Sequence, residues 1–192
     1  DLDRAVPGAL VGIFSATGQT CIAGSRLLVQ RGVHDEVVAR LAERAQRIRL
    51  GDPLDPRTQM GTAANEPQFR RILASIDKAV SEGARLVCGG KPATGEGLGR
   101  GFFIEPTIFT DVHNRMELAQ EEIFGPVLSV IPFDTEDEAV GIANDTRYGL
   151  ASGVWTRDIS RALRMIDRIH AGTVWVNTYR MAQAKIGRAS CR

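Results

Sequence analysis

One cysteine stands where it could act as a nucleophile. Cys21 lies in a stretch of small and polar residues between Phe14 and Arg26, which separates a predicted helix from a predicted strand. Backbone N–H groups of such a glycine-containing loop can point at the sulfur, where they favour a thiolate and any oxyanion formed on a carbonyl that it attacks. The competing interpretation, a small buried hydrophobe, stays open for Cys21 on local sequence alone. It is the interpretation we adopt for Cys88, which follows two apolar residues.

A second stretch with chemical potential carries two adjacent carboxylates. Glu121 and Glu122 precede Phe124 and a Gly-Pro turn that leads into the strongest predicted strand. The two oxygens of one carboxylate can accept both hydroxyls of a ribose, and residues near strand ends of α/β sheets serve nucleotides in this way. Phe124 could then brace a flat ring, although a solvated acidic turn is an equally simple interpretation. Asn177 follows another predicted strand and could point its amide into a cleft or cap a turn.

The elements that must position these residues alternate between helical and strand patterns, which favours an α/β layer structure. Apolar residues at helical spacing, and short apolar runs bounded by turn residues, define the elements. The predicted helices cover residues 1–14, 34–50, 66–83, 135–144 and 159–169, and the predicted strands cover 26–30, 86–88, 102–109, 127–133, 151–156 and 173–176.

Composition excludes several classes of protein. The 192 residues carry 24 Lys and Arg against 23 Asp and Glu, so no strong field exists to hold a nucleic acid or an acidic membrane surface. No apolar run is long enough to span a bilayer. The three cysteines and three histidines are too scattered for a disulfide framework or a metal site, so we expect neither. Because disulfides are not expected, we also expect a cytoplasmic location. The first residue is Asp1 and no signal peptide follows, so we expect the chain to begin within a longer protein.

These motifs together resemble the NAD(P)-dependent aldehyde dehydrogenase superfamily. Residues 14–25 fit the cysteine signature of that family, and residues 51–56, 121–126, 144–151 and 172–177 match further family motifs in the same order. The resemblance extends from residue 1 to about residue 179. It implies a three-layer open α/β sheet flanked by helices, with residues 1–184 forming the catalytic, nucleophile-bearing domain.

The resemblance also implies roles for individual residues. Cys21 would attack the aldehyde carbon, pass through a thiohemiacetal and a thioester, and use its own backbone N–H as an oxyanion donor. Glu122 would bind the nicotinamide ribose hydroxyls, and Phe124 would pack beside that ribose and ring. Gln68 and Arg71 align with a Gln and a Lys that approach the same ribose. The cofactor would be NAD or NADP, the substrate a small aldehyde, and the full-length protein a homo-oligomer.

Several family segments do not occur in this sequence. The glutamate that serves as general base, the asparagine that completes the oxyanion hole and the phosphate loop all lie upstream of the family's cysteine, so we expect truncation at both ends and an inactive isolated chain. Residues 185–192 match nothing in the family, and their codons are compatible with a sequencing adapter, which indicates a non-native tail. Two alternatives to a dehydrogenase function remain open. One is a cofactor-independent thiol esterase that uses Cys21, and the other is a non-catalytic scaffold of the same fold.

Overall fold

A computed structural model describes residues 1–95 and 97–181, and the predicted tail over 185–192 lies outside these residues. The helices are α1 Leu2–Phe14, α2 His34–Ala45, α3 Glu66–Ser81, α4 Glu117–Gln120, α5 Glu136–Asn144 and α6 Ile159–Arg168. The strands are β1 Arg26–Gln30, β2 Arg85–Cys88, β3 Thr107–Thr110, β4 Val127–Phe133, β5 Ala151–Val154 and β6 Thr173–Val176. The predicted α/β class is therefore confirmed.

The main sheet has four strands in the order β1-β4-β3-β2. The central strand β4 pairs in parallel with both β1 and β3, while β2 runs antiparallel to β3. A second, two-stranded parallel sheet joins β5 to β6, with α6 as the crossover between them. This strand–helix–strand unit is the one that the sequence predicts, although it forms a separate sheet.

Helices cover both faces of the main sheet, which gives the three expected layers. Successive side chains of a strand point to opposite faces, and β4 is buried on both. Leu128 and Val130 pack in one cluster with α1 and α2, whereas Val127 and Ile131 pack in another with α3 and α4. A third cluster joins α5, α6 and β5. The longest helix, α3, has 16 residues, and no helix in the described ranges is long and apolar enough to cross a membrane.

Two predicted elements differ most in their bounds from the observed ones. The helix predicted over 34–50 ends at Ala45. After it, the N–H groups of Arg47 and Ile48 donate to carbonyls three residues earlier, and Leu50 forms a β-bridge with Met60. The strand predicted over 102–109 begins only at Thr107. Pro106 has no N–H to donate to the ladder, and Ile104 just before it bridges to Pro92 instead.

The α5–α6 contact depends on a carboxylate that two arginines share. Glu136 accepts hydrogen bonds from Arg164 at 2.9 and 3.1 Å and from Arg161 at 2.6 Å. These bonds, that from Arg164 foremost, lower the pKa of the Glu136 carboxyl from its ordinary 4.5 to about 2. The ionised carboxylate therefore holds the α6 unit against α5.

We expect Glu136→Gln to destabilise the chain in a pH-dependent way. Because the folded pKa is the lower one, the unfolded chain takes up the proton first, so the stabilising effect is present above about pH 4.5 and fades as the pH falls towards 2. Urea unfolding at a series of pH values should show a constant difference from wild type near neutrality that shrinks in acid. Glu43→Gln is the matched control, since among the described residues Glu43 pairs only with Arg47, four positions along the chain, and joins no two helices. A Glu136→Gln difference that does not change with pH would contradict the assignment.

Candidate active site

The loop that carries Cys21 leaves α1 in an unusual backbone conformation. Ala16, Thr17 and Gly18 follow one another with φ angles of 53°, 57° and 67°. Two of the three are not glycine, and such residues cost on the order of 1–3 kcal/mol each in the left-handed region. A turn closed by the Ala23 N–H on the Thr20 carbonyl, at 2.8 Å, then presents Cys21 at the surface. A strained loop of this kind needs support from the surrounding structure.

The two cysteines in the described ranges differ sharply in their surroundings. Cys21 is exposed, and its backbone N–H donates no hydrogen bond to any described residue. Cys88 is buried in the core, as predicted, with its sulfur 3.7 Å from the Pro106 carbonyl oxygen. Burial raises the pKa of the Cys88 thiol to about 11. Cys21 is therefore the thiol that a substrate can reach.

The segment from Glu121 to Gly125 joins α4 to β4. The Glu122 side chain is exposed, and its carboxylate forms no ion pair or hydrogen bond with the described residues. Glu121 instead pairs with Arg147. Phe124 adopts a left-handed backbone with φ 55° and is partly buried. The segment thus offers one uncommitted carboxylate beside one aromatic ring.

Side chains from two other elements fix the backbone of this segment. Gln68, in the first turn of α3, donates from Nε2 to the carbonyls of Ile123 and Phe124, both at 2.9 Å. Arg71 donates to the Glu122 carbonyl at 3.3 Å, and the Glu122 N–H donates to the Tyr148 hydroxyl at 3.3 Å. Gln68 and Arg71, aligned by resemblance with ribose-proximal residues, therefore lie beside Glu122 and hold its backbone.

The structure brings the three predicted site residues to one place. A cleft of about 1070 Å³ is lined by Cys21, Glu122 and Phe124 among other residues. The two loops touch directly behind it, because a Cβ on Gly18 would lie 2.0 Å from the Gly125 carbonyl oxygen. The exposed Glu122 carboxylate has both oxygens available to accept the vicinal hydroxyls of a sugar.

Both polar atoms of the Asn177 amide bond to the backbone of Thr156. Its Oδ1 accepts from the Thr156 N–H at 3.0 Å, and its Nδ2 donates to the Thr156 carbonyl at 2.8 Å. The amide therefore continues the pairing of β5 with β6 by one further step. These bonds reach back 21 residues to Thr156, so the amide does not cap the following turn, which was the structural role expected for it.

Sequence reasoning missed two residues that follow β6. Tyr179 fills a space between three glycines, because Cβ atoms on Gly12, Gly24 and Gly153 would lie 3.1, 3.4 and 2.6 Å from its ring. Arg180 donates hydrogen bonds to the Ser15 carbonyl and the Thr20 hydroxyl. No local pattern marks either residue, because the partners of Arg180 lie 160 and 165 positions away.

Comparisons with known proteins point to one family. The aldehyde dehydrogenase family model matches residues 1–188. A betaine aldehyde dehydrogenase from Mesorhizobium japonicum is 48% identical over 186 residues, which cover 97% of this chain and 38% of the relative. A crystal structure of betaine aldehyde dehydrogenase from Staphylococcus aureus in complex with NAD+ is 40% identical, with a TM-score of 0.94 over 96% of this chain and 36% of that chain. HpcC from Thermus thermophilus is 44% identical, with a TM-score of 0.93 over 95% and 36%. The chain thus spans less than two-fifths of the length of these proteins.

We expect Gly18→Ala to destabilise the chain by more than about 1 kcal/mol, because the added Cβ meets the Gly125 carbonyl in a backbone region that alanine avoids. Gly61→Ala is the matched control, since a Cβ there meets no atom within 4 Å and its φ is ordinary. Urea unfolding of the two variants measures the difference. Equal stability of both variants would show that the two loops do not make the close contact.

Proposed function

Because the chain belongs to the aldehyde dehydrogenase family, we propose that it is the nucleophile-bearing part of an enzyme that oxidises an aldehyde to a carboxylic acid with NAD+ or NADP+. The observation that carries the proposal is the exposed Cys21 thiol in one cleft with the uncommitted Glu122 carboxylate and Phe124. The two free thiols in the described ranges also support a reducing, cytoplasmic setting. As the family resemblance implies, the full-length protein works as a homo-oligomer.

The reaction begins at the Cys21 sulfur. The thiolate adds to the carbonyl carbon of the aldehyde, and the carbonyl π electrons move to oxygen to give a thiohemiacetal oxyanion. The Cys21 N–H donates to no described residue, which leaves it free among these residues to hydrogen-bond to that oxyanion in this proposal. When bound, the nicotinamide ring supplies the acceptor for the hydride that leaves the carbon. Cys21 is then left as a thioester, which water hydrolyses to the acid and the free thiol.

Glu122 and Phe124 orient the cofactor in this proposal. The Glu122 carboxylate accepts the two ribose hydroxyls, and charge-assisted bonds of this type are strong and directional. Phe124 packs against the ribose and the ring edge. Gln68 and Arg71 keep the Glu122 and Phe124 backbone in place through its carbonyls. The proton and water transfers fall to the family's general-base glutamate, which has no counterpart motif in this sequence.

We expect the 192-residue chain alone to give no steady-state NAD+ reduction with an aldehyde. A chimera tests the proposal directly: residues 1–181 of this chain replace the aligned stretch of the Mesorhizobium japonicum relative, which supplies the remaining segments. The chimera should reduce NAD+ with the aldehyde that the host enzyme oxidises. Cys21→Ala should lower kcat by at least about 1000-fold, in line with the loss of a covalent nucleophile.

Cys88→Ala is the matched control, since Cys88 is a core thiol with a raised pKa. It should leave kcat within about threefold of the parent chimera, although it lowers thermal stability through the lost packing. Full activity in the Cys21→Ala chimera would refute the proposed nucleophile.

Glu122→Gln in the same chimera should raise the KM for NAD+ by roughly tenfold, because an amide accepts hydrogen bonds more weakly than a carboxylate and its NH2 cannot accept. Glu121→Gln is the neighbouring control, since the Glu121 carboxylate is engaged with Arg147. Initial rates at varied NAD+ give both constants. Equal KM values for the two variants would remove Glu122 from the cofactor site.

A further inference from the structure

The strained start of the Cys21 loop is held from several sides. On one side, Gln19 donates to the Thr62 carbonyl at 3.1 Å and accepts from the Ala64 N–H at 2.7 Å. On another, Gly18 rests against the Gly125 carbonyl. Left-handed residues persist only where the surroundings over-determine them. The remaining support comes from the segment after β6.

The guanidinium of Arg180 bonds to the chain on both sides of the left-handed residues. Arg180 donates from one terminal nitrogen to the Ser15 carbonyl at 2.9 Å, and from the other to the Thr20 hydroxyl at 3.0 Å. Ser15 precedes the left-handed run and Thr20 precedes Cys21 directly. The planar fork of an arginine fixes the spacing between two acceptors, which a lysine ammonium does not.

Arg180 is itself aimed by its neighbours. The Asn177 amide ties the chain to Thr156, and Tyr179 is inserted among glycines of α1, the Cys21 loop and β5. Burial raises the pKa of the Tyr179 hydroxyl, so this ring packs as a neutral group. Trp175 donates from its indole nitrogen to the Met181 carbonyl at 3.2 Å, which secures the far side of Arg180. These contacts on both sides of Arg180 hold the backbone from which its guanidinium extends.

We propose that Arg180 is a positioning residue for catalysis at Cys21. It holds Ser15 and Thr20 so that the Cys21 N–H keeps the direction needed to bind an oxyanion. The inference rests on the proposed function, in which that N–H stabilises the thiohemiacetal. Both terminal nitrogens of the guanidinium bond to the loop. Arg180 therefore acts through the loop, without touching substrate.

The test compares two reactions of the same sulfur in the 192-residue chain. With p-nitrophenyl acetate, the Cys21 thiolate attacks the ester carbonyl, the C–O bond breaks, and nitrophenolate leaves, so acetyl transfer passes through an oxyanion. With iodoacetamide, the thiolate displaces iodide and no oxyanion forms. Both rates scale with the amount of thiolate, so their ratio isolates oxyanion stabilisation. Peptide mass spectrometry assigns each product to Cys21, Cys88 or Cys191.

Arg180→Met should lower the ratio of acylation to alkylation at Cys21 by roughly tenfold, the size of effect expected for a lost charged hydrogen bond. Thr20→Val should lower it in the same direction, and Thr20→Ser, which keeps the hydroxyl, should restore the wild-type value. The double variant Thr20→Val/Arg180→Met should match Arg180→Met alone, because both changes remove one shared contact. Arg47→Met, the loss of an exposed arginine that pairs with Glu43 and does not line the cleft, should leave the ratio unchanged.

Hydrogen exchange supplies an independent measurement. The amides of Gln19, Ala23 and Gly24 donate backbone hydrogen bonds inside or from the loop. They should exchange roughly tenfold faster in Arg180→Met, while amides of α3 keep their wild-type rates.

The outcomes separate this inference from the proposed function. Equal slowing of both sulfur reactions, an unchanged ratio, or an effect of Arg180→Met that Thr20→Val does not share would each overturn the positioning role. Absence of any Cys21-dependent acylation in the wild type would count against the proposed function instead. In that case the exchange rates decide the inference, and unchanged rates in Arg180→Met overturn it.

Discussion

The parallel pairing of β1 with β4 is the constraint on which the candidate site depends. Their register sets Arg26 opposite Ser129, so both strands start at the same edge of the sheet. The chain that enters β1 carries Cys21, and the chain that enters β4 carries Glu122 and Phe124. The two segments are about 100 residues apart in the sequence, and the parallel ladder brings them side by side. The close approach of Gly18 to Gly125 then puts the two segments in contact. Any change that shifted this register would move Cys21 relative to Glu122.

Much of this arrangement could be predicted from the sequence because it follows from local patterns. The apolar run of β4 and the turn before it identify a central strand, and the segments that lead into β1 and β4 carry the residue types that the sequence motifs single out. Cys88 sits between apolar neighbours, and its burial follows from the same reasoning. Cys21, Glu122 and Phe124 were each named from the residues around them, and the structure places all three in one cleft. Their catalytic and binding roles remain predictions.

The remainder could not be predicted because it rests on contacts between distant residues. Nothing beside Gln68 indicates that its amide will reach two carbonyls more than fifty positions away. The left-handed backbone of Phe124 is equally hidden, since phenylalanine rarely adopts it and tertiary contacts must impose it. Helix and strand ends were misplaced for a related reason. Leu50 and Ile104 each formed a bridge with a partner outside the local window, which took them out of the predicted helix and strand.

The bond between Arg180 and Ser15 joins nearly the two ends of the described chain. Synthesis on the ribosome proceeds from the amino end, at roughly 5–20 residues per second, so the loop around Cys21 emerges many seconds before its guanidinium partner. During that interval α1 and the first parallel strands can form, but the hydrogen bonds from Arg180 to Ser15 and Thr20 cannot. The loop thus gains this support only after β6 and the segment that follows it have been synthesised. Until that segment is available, the left-handed residues before Cys21 lack one of the contacts that hold them in place.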